Sequence, residues 1–262
     1  MRDHHQELEA LRSAGTWRAW EPLLRLRDIW RGYGFHVGVM AFLGLFGIGG
    51  YEATLLFATE RGLTAWSPTS SWDYAVPALP WTVLIYLTLY LYSVIPVLST
   101  RRDERGRREL LFLAQGMIIL FLISFGVFLA MPAEIVVRTQ MEALLPSMNP
   151  LYRMLFEGIY LIDRPFNSWP SLHVSQSLLI ILFAHRWLAL RTGELPSAGR
   201  WNALLWVAWV ALSLSILTTK QHFIWDMVTG AALGALIWRA YILPRLDQRI
   251  AARQTASLPT SA

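Results

Sequence analysis

Two short polar stretches, Asn167-Ser168-Trp169-Pro170-Ser171-Leu172-His173 and Lys220-Gln221-His222-Phe223-Ile224-Trp225-Asp226, interrupt a chain that is otherwise strongly apolar. Together they bring two imidazoles, a carboxylate and an ammonium group. Phosphoryl transfer to and from a histidine needs such a set: one imidazole to attack, one to carry a proton, a carboxylate to fix a tautomer, and cations to hold the transferring charge. His222 and Asp226 are four residues apart, so on a helix they share a face and can meet. Asp226 lies inside an apolar run, where an unpartnered charge costs roughly 2.5–3.5 kcal/mol on insertion scales. An imidazole N–H is its natural partner, and that contact leaves the other ring nitrogen of His222 free as a nucleophile.

In the first stretch, Pro170 suits the first turn of a helix, because its missing N–H would be unpaired there anyway. The N–H groups near Ser171 and Leu172 would then leave the helix start as an anion site, with His173 in the same turn. Lys220 is the only lysine beside 22 arginines, and a compact ammonium suits a phosphate oxygen. Each feature also has a plainer reading. His173 can be an interfacial histidine at a capped helix start, His222 and Asp226 a structural polar pair, and Lys220 a solvated loop charge.

The elements that must position these residues are membrane helices. The chain has 262 residues, 55% of them apolar, and a mean hydropathy of +0.38, beyond the usage of soluble domains. Six apolar stretches, near 33–58, 76–98, 110–131, 171–190, 201–218 and 223–242, are each long enough to cross a hydrocarbon core of roughly 30 Å as a helix. The expected fold is therefore all-α: a polytopic membrane protein with six transmembrane helices in a single bundle. The segments 1–32, 99–109, 185–200 and 239–262 carry 18 of the 22 arginines. By the positive-inside rule both termini are cytoplasmic, and both polar stretches face the periplasm or its equivalent across an inner (plasma) membrane. The net charge of +5 thus reports orientation and headgroup contact, not nucleic-acid binding. With no cysteine in the chain, disulfides, thiol catalysis and thiolate metal sites are excluded.

Residues 1–32 read as a basic cytoplasmic segment with an interfacial helix over Leu8–Leu26, or else as a partly ordered arm. Residues 33–243 form the membrane domain, with a long outer segment at 132–170 that includes a short helix over Leu151–Leu161. The tail 244–262 reads as cytoplasmic and disordered.

Pro170-Ser171-Leu172-His173 and the His222/Asp226 pair resemble the second and third motifs of the type 2 phosphatidic acid phosphatase superfamily, which also contains vanadium haloperoxidases and inositol phosphorylceramide synthases. The resemblance covers roughly residues 70–240. It implies that His222 attacks phosphorus to form a phosphohistidine, that Asp226 orients His222, and that His173 protonates the leaving oxygen. Lys220, Ser171 and nearby arginines would hold the transferring group. Three positions depart from the pattern. Leu172 replaces the usual glycine of the second motif, a form similar to the inositol phosphorylceramide synthase branch. Ile216 stands where the third motif has arginine. The first motif, a lysine followed seven residues later by Arg-Pro, is not intact. Arg138 is its best counterpart, with Met131 and Thr139 at the flanking positions, and Arg164-Pro165 keeps the dipeptide closer to His173. Asp73 and Tyr74 resemble an outer-face feature of that branch but suggest no role.

The resulting expectation is a membrane enzyme that hydrolyses or transfers the phosphoryl group of a lipid phosphate or phosphodiester, without metal or other cofactor, among membrane lipids and with no nucleic-acid partner. The alternative is a non-catalytic binder or transporter of phosphorylated lipids. A soluble haloperoxidase is excluded by the six apolar stretches.

Overall fold

A long apolar run away from water can satisfy its backbone only by closing its own hydrogen bonds, which an α-helix does within a single segment. In the computed structural model, which describes residues 2–13, 15–61, 66–191 and 197–247, every regular element among the described residues is helical. The principal helices are α1 (Arg2–Ser13), α2 (Gly34–Arg61), α3 (Glu104–Ala130), α4 (Pro150–Ile162), α5 (Leu172–Leu190), α6 (Ala198–Thr218) and α7 (Ile224–Ile237, continuing through a π-turn at Trp238–Ile242). Five helices are long and apolar enough to cross a membrane: α2, α3, α5, α6 and α7 with its continuation to Asp247.

The remaining expected span, 76–98, is not one helix. It is a series of short pieces, Pro80–Thr82, Val83–Tyr86, Leu89–Tyr92 and Val94–Ser99. The hydrophobic pattern concealed a backbone competition. The hydroxyls of Thr82, Thr88 and Ser93 donate to the carbonyls three residues earlier, at Leu79, Ile85 and Tyr90. Such back-bonding bends helices, and Pro80 and Pro96 remove further N–H donors.

Helix α3 forms the centre. Asp103 caps its start by accepting from the Gly106 N–H at 2.9 Å, and buried side chains including Leu110, Leu113, Met117 and Phe121 pack it against α2, α5 and α7. The N-terminal segment also differs from one interfacial helix over 8–26. Gly15 takes a positive φ of 84° after α1, and a 3-10 helix at Arg18–Leu26 carries Pro22. This brings Leu11, Trp20 and Leu24 into the same core as Phe35 and Val39. In the outer segment, Asn149 caps α4, close to the helix expected at 151–161. Most of the expected disordered tail, from 248 onward, lies outside the described residues.

Two close approaches position the site. Gly230 of α7 faces the start of α5, where an added Cβ would lie 2.6 Å from the Ser171 carbonyl oxygen; at Gly234 it would lie 2.9 Å from that of Ser175. Only glycine lets the helices touch here. Above the seam, the Ser171 N–H donates to the Asp226 carbonyl at 3.1 Å. The two polar stretches, 49 residues apart between their histidines, therefore lie together at one end of the bundle.

Candidate active site

The short α6–α7 connection carries most of the chemistry. Helix α6 ends at Thr218, and Lys220 adopts φ 59°, which reverses the chain. The Gln221 and His222 N–H groups then both donate to the Ile216 carbonyl. Helix α7 restarts with Phe223 as N-cap, and Asp226 accepts the Phe223 N–H through Oδ2 at 2.9 Å. A carboxylate at the third position of a helix is thus pulled back over its first turn. The same Oδ2 lies 3.2 Å from His222 Nδ1, while Oδ1 is buried without a hydrogen-bond partner among the described residues.

His222 Nε2 lies 3.2 Å from His173 Nδ1, with the ring centroids 5.2 Å apart and steeply inclined. His173 sits at the second position of α5, and the ring of Tyr86 packs against it at 4.8 Å. With the His222 Nδ1–H given to Asp226, its Nε2 is a lone pair, and the facing His173 Nδ1 must be the donor. In that neutral assignment the hydrogen bonds run from His173 through His222 to Asp226.

The other residues singled out in the sequence fall into two groups. Ser171 is fully buried, and its Oγ is free of protein partners among the described residues. Its N–H is not an open anion donor, because it is spent on Asp226. Pro170 precedes the helix instead of occupying its first turn, since Ser171 is the N-cap. Arg138 is buried and linked to the α6–α7 connection: its Nη2 donates to Gln221 Oε1 at 2.6 Å. Arg164 is exposed and is not brought to the two histidines by any side-chain contact among the described residues. Ile216 is apolar core beside Tyr86, Val174 and Leu217, so nothing at that position replaces the missing arginine.

Lys220 is only 1% exposed and points at backbone. Its Nζ donates to the carbonyls of Asp73 at 2.8 Å and Val76 at 2.5 Å, leaving one N–H. Burial lowers its ammonium pKa from the ordinary lysine value, opposed by the charge of Asp73. Asp73 does more than the sequence suggested. Its Oδ1 accepts the Ile224 N–H at 2.7 Å, capping α7, while Oδ2 accepts from Ser70 N and Oγ. The Ser70-x-x-Asp73 spacing was a legible capping box; its reach to α7 was not. Tyr86, Gln221, Tyr51 and Asp163 were also missed, although Gln221 lies inside the second polar stretch and Asp163 stands beside Arg164-Pro165.

No group of three or more His, Asp or Glu side chains comes together in a metal-holding arrangement among the described residues. What the site offers is an imidazole oriented by a carboxylate, a second imidazole beside it, a buried hydroxyl and a buried guanidinium.

A family model described as the PAP2 superfamily matches residues 48–240. No curated protein and no solved structure matches the chain.

Proposed function

The chain belongs to the PAP2 superfamily, and on that premise we propose that it is an integral membrane enzyme that removes or transfers the phosphoryl group of a lipid phosphate through a phosphohistidine. The observation that carries this reading is the aligned Asp226–His222–His173 chain, with 3.2 Å at both contacts. In this mechanism His222 Nε2 attacks phosphorus, forming the N–P bond as the bond to the leaving oxygen breaks. Asp226 stabilises the positive charge that develops on the ring. His173 acts here as the imidazolium, charged when the anionic substrate enters between the rings: it gives one proton to the leaving oxygen, becomes neutral, and then takes a proton from the acceptor that attacks the phosphohistidine. The two nitrogens touch at rest, so substrate must part them and replace their hydrogen bond.

Ser171, Arg138 and the remaining N–H of Lys220 are proposed to hold phosphoryl oxygens. Arg164, at the surface, would meet only a headgroup or an incoming anion. We place the site at the extracytoplasmic face, with both termini cytoplasmic and the segmented stretch 80–99 completing a six-span bundle, on the strength of the arginine distribution. The form of the second motif, with Leu172, favours a synthase-like branch in which an alcohol accepts the phosphoryl group.

The test is direct. Purified protein incubated with a lipid phosphate should release inorganic phosphate or, with an alcohol present, form a new phosphodiester. Vanadate should inhibit both reactions, and His222→Ala should abolish them. Equal turnover in wild type, His222→Ala and His173→Ala would leave only the binder or transporter reading.

A further inference from the structure

We infer that Asp163, anchored by Tyr51, is a positioning residue that holds the Arg138 guanidinium for the phosphoryl group. This rests on the function proposed above.

Arg138 is 3% exposed, too deep for its charge to be left to solvent. Its Nη1 donates to the Asp163 carbonyl at 2.6 Å, its Nη2 donates to Gln221 Oε1 at 2.6 Å, and Nη2 stands 3.8 Å from the Asp163 carboxylate. The Tyr160 ring lies under the guanidinium at 4.8 Å. Burial pushes the Tyr160 phenol up to about 12, against the pull of Arg138, so Tyr160 stays neutral and supplies no counter-charge. That task falls to Asp163. One donor is left over: Arg138 Nε is buried without a partner among the described residues. A buried donor left unsatisfied is costly, and on a cation whose partner Gln221 adjoins His222 it has the chemistry to meet a phosphoryl oxygen.

Asp163 is itself held from two sides. Its N–H donates to the Ile159 carbonyl at 2.7 Å, closing α4. The Tyr51 hydroxyl, from α2, donates to Oδ1, and the Tyr51 ring is fixed edge-on by Phe128 of α3 at 6.1 Å. The adjoining backbone is tied as well, because the Ile135 N–H donates to the Pro165 carbonyl at 2.8 Å, and Ile135 and Val137 pack on Phe223. The Arg138 turn is thereby clamped between Asp163 and the catalytic connection. Two central helices are coupled to a guanidinium that the sequence alone left without a neighbour.

The experiment is a double-mutant cycle on purified protein with a lipid phosphate as substrate, reading kcat, KM, vanadate inhibition and thermal stability. Asp163→Asn should lower kcat/KM and vanadate potency by about tenfold, within the range of couplings inside one ion-pair network. Arg138→Gln should lower both further, and Asp163→Asn/Arg138→Gln should be no worse than Arg138→Gln alone. Tyr51→Phe, which keeps every charge, should give a smaller loss that also vanishes in the Arg138→Gln background, and it decides the question if Asp163→Asn does not fold. A merely structural ion pair would lower stability while leaving kcat/KM and vanadate potency unchanged, or give losses that add to those of Arg138→Gln; either result overturns the inference. His222→Ala run alongside separates the two levels. Activity that survives it sinks the phosphohistidine reading, whereas His222-dependent activity indifferent to Asp163 and Tyr51 sinks only this proposal.

Discussion

A histidine becomes a nucleophile when something else decides where its proton sits. Here Asp226 Oδ2 lies 3.2 Å from His222 Nδ1 and also accepts the Phe223 N–H, so both carboxylate and ring are fixed by the first turn of α7. Replacing Asp226 with Asn puts an amide N–H or a neutral oxygen against the ring and loosens that control. Asp226→Asn should lower turnover by about 10³–10⁴-fold, the scale for an orienting carboxylate in an acid–base chain, with little change in KM; phosphate-release kinetics measure it. His173→Ala should cost about 10²–10⁴-fold, as for loss of a general acid, and should be felt least with substrates whose leaving group needs no proton, such as a nitrophenyl phosphate. An equal loss with both kinds of leaving group would remove His173 from that role. His222 and Asp226 were legible because their spacing is helical, and His173 because a polar helix start stands out from apolar surroundings. Lys220 was legible for its rarity, yet its ammonium is largely spent on the carbonyls of Asp73 and Val76, a long-range contact that no local pattern encodes.

At the scale of elements, the site depends on how closely α7 approaches α5 and on how α7 begins. An added methyl at Gly230 would meet the Ser171 carbonyl oxygen at 2.6 Å, and backbone cannot swing aside as a flexible side chain can. Gly230→Ala should therefore part the two helix starts at a cost of about 1–3 kcal/mol, typical of overpacking, and lower activity more than stability, because the opening falls beside Asp226. Thermal unfolding and phosphate release on the same preparation test this. Gly126, which has open space around it, supplies the control through Gly126→Ala. Asp73→Ala removes the cap on the Ile224 N–H and should cost about 1 kcal/mol, as for other N-caps, with a loss of activity that Asp73→Asn partly restores. The long helices were readable from apolar length alone. The segmented stretch 80–99 was not, because hydropathy counts side chains, whereas the breaks come from prolines and from hydroxyls competing for backbone carbonyls.

For the whole molecule, the arginine distribution gives an orientation that can be measured. The chain has no cysteine, so single cysteines report without background. A cysteine at Arg153 in the outer segment should react with a membrane-impermeant maleimide in intact cells or spheroplasts, whereas one at Arg105 should react only after permeabilisation. The reverse pattern would turn the proposed enzyme over. The overall helical architecture followed from composition and the meeting of the two polar stretches was expected, while the arrival of Asp73 and Arg138 at the α6–α7 connection was not, because it is made of single hydrogen bonds between parts of the chain 83 to 151 residues apart. That convergence has a temporal side. Asp73, Val76, Arg138, Ser171 and His173, which grip the 220–226 connection from far along the chain, are all synthesised before it. A nascent chain that has not yet added residues 220–226 leaves the Val76 carbonyl and the Ser171 N–H without these partners and lacks the His222 ring. The proposed catalysis can thus begin only once α7 has docked against α5.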